Sequence, residues 1–238
     1  MRRLAFLLLV GCSTSAYDEP FGDLQVTTTS PTAEKPFTTS DGWEIKYDHF
    51  FVNVSSITVA GDEGTVAASA EGVLVDEVAP GPKVLVEYSL RRARVWENVT
   101  FDVAPVDPEA ATTPDGQAMA KDGYSILVSG TAHRDDVTKT FTWGFTTSTH
   151  YDACGDEIRG LVVPENGTSD ANVVIGADVF FAGGFDPIAA ADADADGAVT
   201  NDELVTAALD TGLADASGHL VASFRARGTC TASIPPAE

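Results

Sequence analysis

The chain contains few positively charged residues. Its 238 residues include 14 Lys and Arg against 36 Asp and Glu, which gives a formal net charge of −22. Nucleic acids and anionic lipid surfaces are themselves negative, so a chain with this charge repels them. The composition therefore argues against a nucleic-acid partner. It is compatible with cation binding and equally with an acidic surface that serves solubility alone.

Motifs of common catalytic sites are also missing. The sequence contains no G-x-S-x-G elbow, no H-E-x-x-H helix, no phosphate-binding G-x-x-x-x-G-K loop and no dinucleotide fingerprint. We therefore predict that the protein is not an enzyme. The alternative is a hydrolase that uses paired carboxylates, because a chain this acidic offers many pairs and its sequence gives no way to choose one.

The N-terminal hydrophobic run is short. Residues 4–10 are apolar, far fewer than the roughly 20 residues that span a bilayer, and after Arg2 and Arg3 the run is typical of a secretory signal. It ends in Leu9-Val10-Gly11-Cys12, which resembles a bacterial lipobox, where the cysteine is lipidated and becomes the first residue of the mature chain. The alternative is an ordinary secretory signal with an incidental cysteine.

The resemblance to lipoproteins implies a location in the cell envelope. Residues 1–11 would be the signal peptide, and acyl chains on Cys12 would anchor the protein to the membrane in place of a spanning helix. Ser13 follows, which by resemblance to lipoprotein sorting in Gram-negative bacteria implies the outer membrane, at its periplasmic face or the cell surface. Residues 12–41 are rich in Thr, Ser and Pro and predict a flexible tether; the alternative is an edge strand around residues 24–26.

Cysteine is scarce, with three residues in the whole chain. If Cys12 carries the lipid, Cys154 and Cys230 remain as an even pair in an oxidising compartment, and we predict a disulfide between them. The alternative is a thiol that acts as a metal ligand or a nucleophile.

Alternation of apolar and polar residues dominates the middle of the chain. Val99, Phe101 and Val103 share one face of a predicted strand, and residues 141–145 repeat the pattern. Turn signals rich in glycine and proline separate such stretches. Half-polar strands are typical of antiparallel sheets with one face on a core, so we predict a mainly β domain over residues 42–182, an antiparallel sandwich or a barrel-like sheet.

Two sets of side chains in this domain allow a binding role. Trp43, Trp96 and Trp143 are candidates for a sugar platform, but each lies in or beside an alternating stretch, which favours core packing. His150 and Cys154 suggest a soft-metal site, but their spacing matches no zinc or copper pattern, which favours scattered surface histidines.

A regular array of oxygen-bearing residues follows the β domain. In residues 192–203, potential ligands occupy positions 1, 3, 5, 7, 9 and 12, a spacing that resembles the calcium loop of an EF-hand. Gly197 falls at position 6, where the chain turns sharply, and Val199 at position 8 is an apolar tether. The predicted ligands are Asp192, Asp194, Asp196, the Ala198 carbonyl, Thr200 and Glu203.

The charge of this loop favours a bound cation. Four carboxylates this close repel one another unless a cation lies between them. The alternative is a solvated acidic turn, because Thr200 and Glu203 also form the pattern of a capping box for the helix that follows, with no metal required.

The flanks of the loop differ from those of a paired EF-hand. Asp186 and Pro187 predict the start of a short preceding helix, and the sequence contains no second loop of this pattern. We therefore predict an EF-hand-like segment over residues 183–232, packed on the β domain and followed by a tail at 233–238. A lone site is expected to bind calcium weakly, with a dissociation constant of about 10⁻⁴–10⁻³ M. A further helix is predicted within residues 213–227.

These patterns predict a lipid-anchored, extracytoplasmic calcium-binding protein in which the ion is structural. One alternative is a cell-envelope module that binds a protein, a glycan or a transition metal and is braced by calcium. The other is the carboxylate-dependent hydrolase.

Overall fold

The computed structural model of the protein describes residues 22–64, 66–90, 95–154, 158–181, 186–208, 226–227 and 231–233. Its helices are α1 (Pro31–Glu34), α2 (Pro114–Asp122), α3 (Pro187–Ala191) and α4 (Asn201–Ala208), with 3₁₀ turns at Asp62–Gly64 and Ala177–Phe181. Its strands are β1 (Gly22–Thr29), β2 (Phe37–Thr38), β3 (Glu44–Gly61), β4 (Val66–Ser69), β5 (Val73–Asp76), β6 (Lys83–Leu90), β7 (Val95–Val103), β8 (Ile126–Arg134), β9 (Val137–Phe145), β10 (Thr149–Cys154), β11 (Leu161–Val162), β12 (Thr168–Ile175), β13 (Ala198–Val199), β14 (Ala226–Arg227) and β15 (Thr231–Ser233).

The strands form two curled sheets that together make a half-barrel. The smaller sheet has the order β14-β12-β1-β6, and the larger has the order β13-β9-β8-β3-β7-β10-β15, with β2, β4 and β5 on β3 and β11 on β7. The prediction of a mainly β fold is confirmed. Most pairs are antiparallel as predicted, but β1 pairs with β12 and β13 pairs with β9 in parallel.

Strand β3 explains the curl, because it changes neighbours along its 18 residues. Val52 lies between Val75 of β5 and Ile126 of β8, whereas Val54 lies between Val73 of β5 and Val103 of β7. Strands β7 and β8 therefore share one side of β3 at different heights, and β5 covers the other side. The larger sheet therefore branches at β3, with β8 and β9 continuing from its first half and β7 and β10 from its second half. This branching bends the larger sheet around the core.

The core follows the alternation seen in the sequence. Val99, Phe101 and Val103 are each 1% exposed, and Phe141, Trp143 and Phe145 are equally buried. All three tryptophans lie in the core, so the core interpretation is confirmed and the sugar platform is wrong. Burying one large apolar side chain contributes about 1.5–3 kcal/mol, so these rows supply much of the free energy of folding.

The predicted tether is wrong for its second half. Strand β1 lies between β6 and β12 in the smaller sheet, with Leu24 and Val26 fully buried, followed by α1 and β2. Composition is misleading here because the few apolar residues all fall on one face of the strand. The threonines between them suit a strand as β-branched residues, and the buried Thr28 hydroxyl donates a hydrogen bond to Glu77 Oε1 at 2.5 Å. Residues 1–21, with the signal-like segment and Cys12, lie outside the described residues.

The remaining predictions on the chain have mixed outcomes. Cys154 is buried in β10, and Thr231 of β15 pairs with Asp152 two residues before it. Cys230 lies outside the described residues, so the disulfide stays a prediction.

The predicted helix at 213–227 is wrong at Ala226–Arg227, which form β14, and the rest of that range lies outside the described residues. Within the part of the chain that is described, no helix has the length and apolar character to cross a membrane.

Candidate metal site

The acidic loop connects α3 to α4 on the outer edge of β9. Asp186 caps α3, accepting hydrogen bonds from the backbone N–H groups of Ile188 at 3.0 Å and Ala189 at 2.8 Å. Pro187 occupies the first helical turn, where its missing N–H costs nothing. The predicted short preceding helix is therefore confirmed, with Asp186 as its cap.

Strand β13 joins this loop to the larger sheet. Thr140 N–H donates to the Gly197 carbonyl at 2.9 Å, and the Trp143 indole N–H donates to the Val199 carbonyl at 3.1 Å. The Val199 side chain is 1% exposed, which confirms its predicted role as an apolar tether. The loop thus packs on strand β9 of the β domain.

The backbone of the loop turns in the left-handed region at two residues. Gly197 has φ of +85°, as its place at position 6 predicts, and a glycine adopts this conformation without steric cost. Ala195 has φ of +60°, which is costly for a residue with a Cβ. Together these two residues wind residues 192–198 tightly enough to bring alternate side chains together.

Three aspartates form a cluster at this turn. Asp192, Asp194 and Asp196 each offer a carboxylate oxygen, and these three oxygens lie within 4.8 Å of one another. Asp194 Oδ1 accepts the Asp196 N–H at 3.1 Å, and Asp196 Oδ1 accepts the Ala198 N–H at 2.7 Å. These hydrogen bonds orient two of the carboxylates, both of which are exposed.

Asp192 differs from Asp194 and Asp196 because its side chain is buried. Its side chain is 4% exposed, and Oδ2 pairs with the Lys139 ammonium at 2.8 Å. Its other oxygen, Oδ1, is buried and accepts no well-formed hydrogen bond from the described residues, although the backbone N–H groups of Gly197 and Asp196 lie close enough to the carboxylate to lower its pKa. The hydrogen bond from Lys139 is the main cause that lowers the pKa of Asp192, so this carboxyl is ionised at neutral pH.

Lys139 is the residue of this candidate site that the sequence did not indicate. It lies on β9, and its ammonium also donates to the Ile188 carbonyl at 3.1 Å, so it bridges α3 and the start of the loop. No local pattern could identify it, because it meets Asp192 only through the pairing of β13 with β9.

Glu203 does not belong to the aspartate cluster. Its Oε2 accepts hydrogen bonds from the Thr200 N–H at 2.9 Å and the Thr200 hydroxyl at 2.8 Å, while Thr200 Oγ1 accepts the Glu203 N–H at 3.4 Å. This is the capping box that the sequence offered as the alternative. The hydrogen bonds from Thr200 also lower the pKa of Glu203. The structure therefore groups three of the four predicted carboxylate ligands.

The histidines of the β domain are dispersed. His150 Nδ1 lies 2.6 Å from Asp102, His49 Nδ1 lies 2.9 Å from Asp76, and His133 contacts a threonine. Among the described residues, the aspartates of the loop are the one group of three or more His, Cys, Asp or Glu side chains close enough to hold a metal. The interpretation of scattered surface histidines is confirmed for these three.

Comparison with known proteins found no matching family model, no matching curated protein and no matching solved structure. The fold and the site by themselves define a mainly β protein with a cluster of three aspartates between two short helices at a sheet edge. The chemistry of that cluster is the basis for a function.

Proposed function

We propose that the loop at residues 192–203 binds a calcium ion. The observation that carries this proposal is the buried Asp192 Oδ1, which accepts no well-formed hydrogen bond and belongs to a cluster of three carboxylates. A buried carboxylate oxygen without a partner is costly, and three carboxylates at this separation repel one another. A cation at the cluster removes both costs.

The donor set favours calcium over other metals. Every side-chain donor in the cluster is a carboxylate oxygen, and neither sulfur nor imidazole is part of it. Hard cations prefer such oxygens, and calcium accepts six to eight of them at flexible angles, whereas magnesium requires a near-octahedral set at short distances. The backbone carbonyl of Ala198 and the Thr200 hydroxyl, directly or through water, would complete the shell. Glu203 would join only by giving up its hydrogen bonds to Thr200.

A structural role for the ion is favoured over a switch. At its start α3 is attached to the sheet, because Asp186 Oδ2 accepts the Trp43 indole N–H at 3.0 Å. At its end it is held by Lys139, which contacts both Ile188 and Asp192. The N-terminus of α4 is held by Asn201, whose Oδ1 accepts the Gly144 N–H at 2.8 Å. Because α3 and α4 are both held by the sheet, they have little freedom to change their relative orientation. On this proposal the ion therefore stabilises the conformation of the loop.

The proposed setting is the cell envelope. The lipobox-like residues ending in Cys12 support a lipid anchor, and a predicted Cys154–Cys230 disulfide suits an oxidising compartment. Calcium outside the cytoplasm reaches millimolar levels, which matches the weak affinity expected of a lone site. The α3–loop–α4 segment is on this proposal an EF-hand-like unit that uses β9 in place of a second loop.

The test uses Asp194→Asn with Asp196→Asn, a pair that removes two charges but keeps both hydrogen-bond acceptors. With a dissociation constant of about 10⁻⁴–10⁻³ M, about 10 mM calcium stabilises the wild-type fold by roughly 1.4–2.7 kcal/mol, or about 3–10 °C in the thermal midpoint. In the double variant this rise should vanish, while its midpoint in chelator stays at or above that of the wild type because repulsion is relieved. Calorimetric titration with calcium and with magnesium reads the binding directly.

The control is Asp202→Asn, which removes an exposed charge of the loop that is neither a predicted ligand nor part of the cluster. It should keep the calcium response of the wild type. Identical melting curves of the wild type in calcium and in chelator, together with a flat calcium titration, would refute the proposal.

A further inference from the structure

A cleft of about 730 Å³ lies beside β3, with Asn53 and Ser55 in its lining, and it is not part of the loop. Its walls are the connection between β4 and β5 and the segment that runs from Pro105 into α2. The volume falls within the range of about 300–1,000 Å³ that is typical of small-molecule sites.

The cleft exists because the pairing of β3 is interrupted there. Strand β5 pairs with residues 51–54 of β3 and β4 pairs with residues 57–60, so Ser55 and Ser56 pair with neither. Ser56 has φ of +52°, an unfavourable value for a residue other than glycine. The gap between the two short strands leaves the edge of β3 uncovered at the floor of the cleft.

The floor carries a hydrogen-bond acceptor that has no partner among the described residues. Asn53 is 5% exposed, and its Nδ2 donates to the carbonyls of Ala104 at 2.9 Å and Pro105 at 3.3 Å. Because a carbonyl oxygen can only accept, the NH₂ group of the Asn53 amide must face these two carbonyls. The other polar atom of the side chain is therefore Oδ1. That oxygen accepts no hydrogen bond from the described residues. It lies toward Gly72, another lining residue, since a Cβ there would come within 3.1 Å of it.

The rest of the lining indicates the charge of the ligand. Glu71 and Asp107 supply two exposed carboxylates, and no lining residue is Lys, Arg or His. Val73, Leu74 and Val106 supply an apolar wall. An anion would meet only negative charge in this cleft. A cation that donates hydrogen bonds and has an aliphatic stem would match the Asn53 acceptor, the two carboxylates and the apolar wall.

We propose that this cleft binds an aliphatic amine, with its ammonium donating to Asn53 Oδ1 and its methylene stem on the apolar wall. The two carboxylates at the rim attract the cation and balance its charge. This site is separate from the calcium loop, so the inference does not depend on the proposed function.

The probe is cadaverine, titrated calorimetrically into the full chain at about 0.15 M salt, with calcium present to occupy the loop. The wild type should bind it saturably, and Glu71→Gln with Asp107→Asn should weaken binding by at least about tenfold. Ala110→Trp, at an exposed lining residue, should abolish binding by filling the cleft. Binding should persist in Asp194→Asn with Asp196→Asn, which separates this site from the loop.

The matched control is Glu165→Gln with Asp170→Asn, two exposed acids that do not line the cleft and change the net charge equally. This variant should bind cadaverine within about twofold of the wild type. Maltose and citrate, a neutral and an anionic probe, should not bind. Three outcomes would each overturn the proposal. They are that cadaverine does not bind, that the control variant loses as much cadaverine affinity as Glu71→Gln with Asp107→Asn, or that maltose alone binds.

Discussion

Asp192 and Lys139 form the contact on which the candidate site depends. The lysine neutralises one oxygen of a carboxylate that is 4% exposed and leaves the other oxygen without a partner. A single buried charge is costly, whereas a pair is tolerated, so the lysine permits Asp192 to be buried before any metal binds. The lysine is therefore a positioning residue for the first ligand of the loop.

Lys139→Met tests this relation. In chelator the variant should melt below the wild type, because Asp192 is left as an unpaired buried charge. Calcium supplies the missing positive charge, so the rise in thermal midpoint on adding about 10 mM calcium should be larger than in the wild type. Differential scanning calorimetry in chelator and in calcium measures both quantities.

Lys46→Met is the control, because Lys46 is exposed on β3 and its loss removes one charge from the surface. It should leave the calcium-dependent rise unchanged. A rise in Lys139→Met equal to or smaller than that of the wild type would contradict the idea that Lys139 and calcium compensate the same buried charge.

At the scale of elements, β9 organises the site. This one strand supplies Lys139, the Thr140 N–H, the Trp143 indole and the Gly144 N–H, which contact the loop and both helices around it. These contacts attach the loop to the larger sheet. The geometry of the cluster is therefore tied to the stability of the β domain.

Val199→Ala tests the coupling between β13 and the sheet. Removing two buried methyl groups should cost about 1–3 kcal/mol, or roughly 2–12 °C in the thermal midpoint, in calcium and in chelator alike. The calcium affinity should also fall, because the loop loses the tether that sets its register on β9. Denaturant unfolding and a calcium titration give the two numbers.

Val205→Ala is matched in size and lies in α4, half-buried and outside the loop. It should cost less stability and leave the calcium affinity at the wild-type value. If both variants bind calcium equally well, the register of β13 on β9 has no part in the site.

For the whole molecule, β1 connects the N-terminal part of the chain to the β domain. It pairs in parallel with β12 and antiparallel with β6, so the smaller sheet has no continuous hydrogen bonding without it. Leu24 and Val26 also fill the core on one of its faces. The β domain therefore includes this strand, which lies well before residue 42, where the sequence pattern placed its start.

Two truncations test this boundary. Removing residues 1–21 should leave cooperative unfolding and a thermal midpoint within a few degrees of the full chain, because β1 keeps its pairings with β6 and β12. Removing residues 1–29 should abolish the cooperative transition, since β6 and β12 lose their common neighbour and the core loses Leu24 and Val26. Circular dichroism melts and limited proteolysis measure both outcomes, and a cooperative melt of the shorter chain would contradict this account.

Short-range patterns were sufficient for several features. Period-two rows such as Phe141, Trp143 and Phe145 identify strands and their buried face, because alternation follows directly from strand geometry. Asp186 with Pro187 predicted the start of α3, and Gly197 with Val199 predicted the turn and the tether of the loop, since caps and left-handed turns depend on a few neighbouring residues.

The sequence by itself determined the mainly β class, the alternating core and the acidic loop with its turn, because each depends on residues a few positions apart. Only the tertiary structure decided which carboxylate is buried, that Lys139 supports it, that Glu203 caps α4 and that β1 lies inside the smaller sheet. Those features depend on pairings between distant strands, and the free energy of such contacts comes from burial and register that no local pattern encodes.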